Sequence, residues 1–217
     1  MAKISIHRAL TEIKTITKRL NSEINDSKLI EFKIGKADKV NGVSIDTIEK
    51  NILATYDKIT ALINRYRTLK YAIILSNAGV RNPDELVRSF SFSNYNWTVA
   101  ETIEYKNSIS FEEDLLSVMI SQLELAQENI EDHNFKTEKR CDEYIRSMFG
   151  GDFKKMLTAE EVATHSKLFK DNNDATLINP LNLQKKINEL KEKLDCFKTE
   201  VDSFLSENNA STFIDVE

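Results

Sequence analysis

With only 5 glycines and 2 prolines in 217 residues, the chain lacks the turn formers of a β-sandwich or a glycine-rich nucleotide-binding sheet, and favours a few long helices joined by few loops. At 41% hydrophobic and 30% charged residues it can build one good core or two small ones, while no apolar run approaches the roughly 18 residues of a membrane span. The net charge of −5 conceals an asymmetry, 15 basic against 8 acidic residues up to Arg81 and 15 against 27 after it, so the basic part can serve an anionic ligand or an acidic neighbour.

Ser5 is placed to cap a first helix to about Asn25, with Ile6, Leu10, Ile13, Ile16, Leu20 and Ile24 on one stripe and Arg8, Lys14, Lys18 and Arg19 on the other face. Leu29 to Ile34 is a short β-prone run ended by Gly35, and Asn41-Gly42 marks a turn. Ser44 then caps a second long helix to about Ala78, its stripe running Ile48, Ile52, Tyr56, Ile59, Leu62 or Ile63, Tyr66, Leu69 and Ile73, with Gly79 to end it.

Arg81-Asn82-Pro83-Asp84 opens a turn, and the alternation of VRSFSFSNYNW predicts a protruding hairpin within 80–97 that turns at Ser93 to Asn96. Thr98 with Glu101 forms a capping box for a short helix to about Asn107. Ser110 with Glu113 forms another, which starts a third long helix to about Phe149. The stripe of that helix is Leu116, Met119 or Ile120, Leu123, Ala126, Ile130, Thr137, Cys141, Tyr144 and Met148. His133 and Asn134 take an otherwise apolar step, as polar residues do when they fix register or face a solvated gap.

Gly150-Gly151 breaks this helix. Thr158 with Glu161 caps a short helix to about Lys170, and Asp171 to Asp174 reads as a polar loop closing a variable insertion over 150–174. The last long helix, Asn179 to Asn208, is the element the others must cover. Asn179 is its cap, Pro180 its first residue, and Leu183, Ile187, Leu190, Leu194, Phe197, Val201, Phe204 and Asn208 its seam. Thr212 to Val216 closes the chain as an edge strand able to pair with Leu29 to Ile34.

The pattern predicts a mainly α fold in one domain over 1–217, an elongated antiparallel bundle or coiled coil of three long helices with short helices and a small β-hairpin or sheet. Cys141 and Cys196, both within helical patterns, read as reduced core thiols.

Chemistry is sparse. His7, His133 and His165 fall on separate elements with no ligand-spaced carboxylate or thiol beside them, and no phosphate-loop, dinucleotide or nucleophile-elbow motif is present. The pair Glu112 and Glu113 sits in a helix first turn, where the dipole favours acids without any catalytic role. No catalytic residue, metal site or cofactor is expected, and the protein reads as a non-enzyme.

INRYRTLKYAI interleaves bases with aromatics, as strand-binding surfaces do. Tyr66 nevertheless belongs to the apolar stripe and the pI is about 5.4, so a patch facing a small anion or a partner is expected over nucleic acid. Its residues are Arg65, Arg67 and Lys70, with Asn77 on the same helix; Arg8, Lys14, Lys18 and Arg19 are available to the same ligand across a subunit interface.

The strings LINRYRTLKYAIILSNA, WTVAETIEYKNSI and NPLNLQKKINELKEKLDCFKTEVDSFLSENNASTFIDV, in that order behind an N-terminal amphipathic helix, resemble the septicolysin-like family of bacterial and phage proteins and small helical proteins of Gram-positive phages. The resemblance covers most of the chain, with Val80–Asn96 and Gly150–Asp174 as expansions. It implies the helical fold and a phage origin, and no active site comes with it. The family name suggests pore formation, but the sequence has no apolar hairpin and no basic amphipathic helix with exposed aromatics, and its charged N-terminal stretch is no secretion signal, so no membrane partner is expected.

The expectation is a phage-encoded binding protein of the host cytoplasm, a counter-defence factor that sequesters a host protein or an anionic, nucleotide-like signal. Surplus apolar seam predicts a homo-oligomer. The alternative is a structural or assembly component of the virion.

Overall fold

The structure, a computed structural model, describes residues 4–77, 89–92, 95–149 and 158–211. It is mainly α with small two-stranded ladders. In chain order the elements are α1 (Ile6–Asn25), β1 (Glu31–Ile34), β2 (Lys39–Val40), β3 (Val43–Ser44), α2 (Ile45–Asn77), β4 (Ser89–Phe92) and β5 (Tyr95–Thr98). They continue with α3 (Val99–Ser108), α4 (Ser110–Phe149), α5 (Ala159–Asn173), β6 (Ala175–Ile178) and α6 (Leu183–Ser211). The chain divides into two compact units that alternate in sequence. The first holds Met1–Ser27, Thr55–Val118 and Gln184–Glu217, the second Lys28–Ala54 and Met119–Leu183.

In the first unit, Ser5 caps α1 by accepting the Arg8 amide at 3.3 Å. The stripe is buried from Ile13 onward, together with Ala9, whereas Ile6 and Leu10 are 42% and 46% exposed. β4 and β5 pair from Ser89 opposite Thr98 to Phe92 opposite Tyr95, so the hairpin is present and its return strand starts inside the expected turn. The turn at Arg81–Asp84, the stop at Gly79, the break at Gly150-Gly151 and the strand Thr212–Val216 lie outside the described residues.

The capping box at Thr98 forms in both directions, Glu101 N–H to Thr98 Oγ1 at 3.2 Å and Thr98 N–H to Glu101 Oε2 at 2.8 Å. The box expected at Ser110 does not form. Ser110 is already helical, the Glu112 and Glu113 amides donate to the Ile109 carbonyl, and the Glu113 carboxylate takes Lys198 at 2.6 Å. On α6 the seam holds at Ile187, Leu194, Phe197 and Val201. Phe197 and Val201 bury Tyr105 between them, with Trp97, Ile109, Phe204 and Leu205 packed around this cluster. Cys196 is exposed, not a core thiol, because it lies one step off that seam.

In the second unit, Asn41 and Gly42 both take positive φ, 49° and 81°, which gives β2 and β3 their two-residue hairpin. β1 pairs antiparallel with β6, Glu31 opposite Ile178 and Ile34 opposite Ala175. The partner of β1 in this ladder is thus Ala175–Ile178, a strand the sequence pattern did not single out.

His133 and Asn134 fix that strand. Asn134 donates to the Ala175 carbonyl at 3.1 Å and accepts its amide at 2.6 Å, while the His133 ring and the Thr137 hydroxyl reach the Asn173 carbonyl at 2.8 and 3.4 Å. Thr158 and Glu161 form their capping box, but α5 runs on to Asn173, so Asp171–Asn173 is helix where a loop was expected. Asn172 Nδ2 and Asn173 Nδ2 bond carbonyls one turn back, which lets this polar run stay helical.

On α4 Leu115 is buried in place of Leu116, while Tyr144 and Met148 end the stripe exposed. The Asn179 side chain caps Leu183 N–H at 2.9 Å as expected. The helix starts three residues after Pro180, because Asn182 sits at φ 50° and closes a turn first.

Candidate functional site

The first unit contains a cleft of about 370 Å³, lined by Asn64, Arg67, Thr68, Tyr71, Trp97, Glu101, Glu104, Tyr105 and Lys193. This is within the usual size of small-molecule sites. Its floor is a polar network around Glu112. The Arg67 guanidinium meets the Glu112 carboxylate with two N–H groups at 2.8 and 3.3 Å, Lys193 donates at 2.9 Å, and the Tyr105 hydroxyl donates at 2.6 Å. The Arg67 guanidinium also stacks over the Tyr105 ring at 4.1 Å and sends Nε toward Ser108 Oγ at 3.4 Å.

Burial pushes the Glu112 carboxyl up, but the Arg67 hydrogen bonds and charge, the Lys193 charge and the Tyr105 hydroxyl outweigh it and hold the pKa at about 2. Glu112 is therefore ionised at neutral pH. Burial and the charge of Glu112 raise the Tyr105 phenol, which stays protonated as a donor. Around Glu112 one carboxylate faces two cations, while the carboxylates of Glu101 and Glu104 line the same cleft. Arg67 and Lys193 also have more N–H groups than Glu112 can accept.

The wall of the cleft holds a second buried acid. Glu104 Oε1 is sealed from solvent and accepts no hydrogen bond from the described residues, and Lys70 Nζ stands 4.0 Å away. Burial raises the pKa of this carboxyl, while the charges of Lys70 and Arg67 oppose the rise. Trp97 packs edge-on against Tyr105 and Phe197, with centroids at 4.5 and 5.8 Å, and the rest of its surface lines the cleft beside Tyr71. The Tyr71 hydroxyl lies 3.5 Å from the Thr98 hydroxyl, which ties the aromatic wall to the start of α3. A smaller depression of about 270 Å³, lined in part by Tyr56, Thr60 and Lys186, shares Asn64 and Lys193 with the main cleft.

The basic residues expected to act together are separated. Arg65 forms a two-pronged pair with Glu12 at 2.8 and 3.2 Å, Arg67 joins Glu112, and Lys70 approaches Glu104. Helical rotation of about 100° per residue puts positions 65 and 67 on different faces. Tyr66 packs edge-on against Phe111 at 5.2 Å, so its ring is no open stacking platform. Asn77, Arg8, Lys14, Lys18 and Arg19 are exposed and line no part of the cleft.

Of the expected set, the structure brings Arg67 to the cleft and Lys70 beside it. The sequence reading missed Glu104, Tyr105, Glu112 and Lys193 as site residues. The only signal of Glu104, Tyr105 and Glu112 was the density of acids and aromatics in WTVAETIEYKNSISFEE, and Lys193, far away in the chain, had none.

Among the described residues no group of three or more His, Cys, Asp or Glu side chains is arranged to hold a metal, and no helix is long and apolar enough to cross a membrane. Compared with known proteins, the chain matches no family model, no curated protein and no solved structure.

Proposed function

We propose that this is a non-enzymatic binding protein whose first unit captures a small anionic, nucleotide-like molecule in the Glu104–Lys193 cleft. The supporting observation is a buried, pre-formed network with more cationic N–H groups than its single carboxylate accepts, beneath aromatic walls. Such a floor is organised before any ligand arrives, which lowers the cost of binding. Arg67 and Lys193 receive the anion, and Trp97 and Tyr71 flank the rest of the molecule.

On the resemblance to septicolysin-like and Gram-positive phage proteins, the proposed role is sequestration, a phage-encoded counter-defence factor that removes a signal in the host cytoplasm. Half-exposed Leu125, Phe135 and Leu168 support self-association, which light scattering tests.

The deciding experiment is a melting-temperature screen of the full chain against nucleotides, sugar phosphates and inorganic phosphate. A saturable rise is expected for an anion-bearing compound, lost in Arg67→Ala. A screen with no rise in any arm refutes the proposal.

A further inference from the structure

Within that cleft, and resting on the reading of it as a binding site, we infer that Glu104 sets ligand specificity by accepting the paired N–H donors of a guanine-type base edge. A carboxylate so buried demands donors, and the described residues supply none to Oε1. The missing donor has to be neutral. Lys70 stands 4.0 Å away, the Arg67 charge acts on the same carboxyl, and Lys193 lines the same cleft. An ammonium or guanidinium ligand competes with Lys70 and Arg67 for a carboxylate that already has cations near it, whereas a neutral N–H edge adds no further charge.

Guanine presents two adjacent N–H groups, N1–H and the 2-amino group, on one edge of a planar ring, and the Glu104 carboxylate accepts such a pair with its two oxygens once its end turns Oε1 out of its buried position into the cleft that the residue lines. The aromatic wall of Trp97 and Tyr71 suits a flat heterocycle. An anionic group on the same molecule meets the N–H groups of Arg67 and Lys193 beyond those that Glu112 accepts. Lys193 borders both the main cleft and the smaller depression, where Lys186 pairs with Glu189, so a phosphate tail leaving the base stays within reach of Lys193. The ligand class is therefore a guanine nucleotide or a close analogue.

Calorimetric titration of the full chain with GMP, IMP, XMP and ribose 5-phosphate tests this. GMP is expected to bind about tenfold or more tighter than IMP, which lacks the 2-amino donor. In Glu104→Gln the carboxamide offers one acceptor and one donor, matching the N1–H and C2 carbonyl of xanthine, so the preference is expected to pass from GMP to XMP. Circular dichroism checks that the variant is folded; if it is not, the wild-type ranking of GMP, IMP and XMP decides alone.

Equal affinity for GMP and IMP, or an unchanged ranking in a folded Glu104→Gln, overturns the assignment of Glu104 while leaving the cleft a binding site. Ribose 5-phosphate binding as tightly as GMP has the same consequence. Absence of binding in every arm, with no melting-temperature rise in the wider screen, overturns both readings.

Discussion

Replacing Glu112 with glutamine removes the carboxylate on which Arg67, Lys193 and Tyr105 converge, and its cost is set by how far the fold depends on that ionised group. The Arg67 and Glu112 side chains are 20% and 9% exposed, so the pair is little screened by solvent. Breaking such a pair leaves buried charge uncompensated, at roughly 3–5 kcal/mol. The pH-dependent part follows from linkage. Glu112 ionises at about 2 in the folded chain against an ordinary 4.5, a difference worth about 3 kcal/mol at about 1.4 kcal/mol per pH unit.

Because the folded value is the lower one, this stability is fully present above pH 4.5 and is lost as pH falls from there toward 2. Trp97, the single tryptophan of the chain, packs on Tyr105 and reports the state of the network directly. Urea unfolding followed by its fluorescence is expected to show wild type more stable than Glu112→Gln at pH 7 by roughly 3 kcal/mol or more, with the gap shrinking by about 3 kcal/mol on the way to pH 2. Two stability curves that run parallel from pH 7 to about pH 2 refute the account of the network.

Asn134→Ala strips both hydrogen bonds from the Ala175 backbone and is expected to cost roughly 2–3 kcal/mol, seen as faster amide exchange along β6; unchanged exchange there contradicts the role given to Asn134. Gly35→Ala places a Cβ 2.0 Å from the Asn172 carbonyl oxygen at a φ of 54°, so a lower melting temperature is expected, and an unchanged one shows that the β1–α5 approach is looser than this. Thr158→Ala removes the capping box of α5 and is expected to lower stability by about 1 kcal/mol in urea, with Thr158→Ser largely retaining it.

Long elements were legible because their physics is local. The seam of α6 from Ile187 to Val201 and the stripe of α1 from Ile13 to Ile24 follow from spacing alone, and Asn41-Gly42 specifies its hairpin through positive φ. What was not legible depends on partners distant in the chain. Glu112 looked like an ordinary first-turn acid until Arg67 and Lys193, from α2 and α6, were placed around it. Arg65, Arg67 and Lys70 looked like one patch because they are close in sequence, yet each meets a different carboxylate. Ile6 and Leu10 continue the apolar period of α1, but the period cannot say where covering side chains stop.

The central claim is that the first unit holds a small ligand between Trp97, Glu104 and Lys193. Its most direct test is the indole N–H resonance of Trp97, a single peak in a nitrogen-15 spectrum of this chain. Titrating guanine nucleotide into the 217-residue chain is expected to move that peak saturably, together with the amides of α3. A Trp97 resonance that stays in place at saturating nucleotide, while shifts appear elsewhere or nowhere, contradicts the claim.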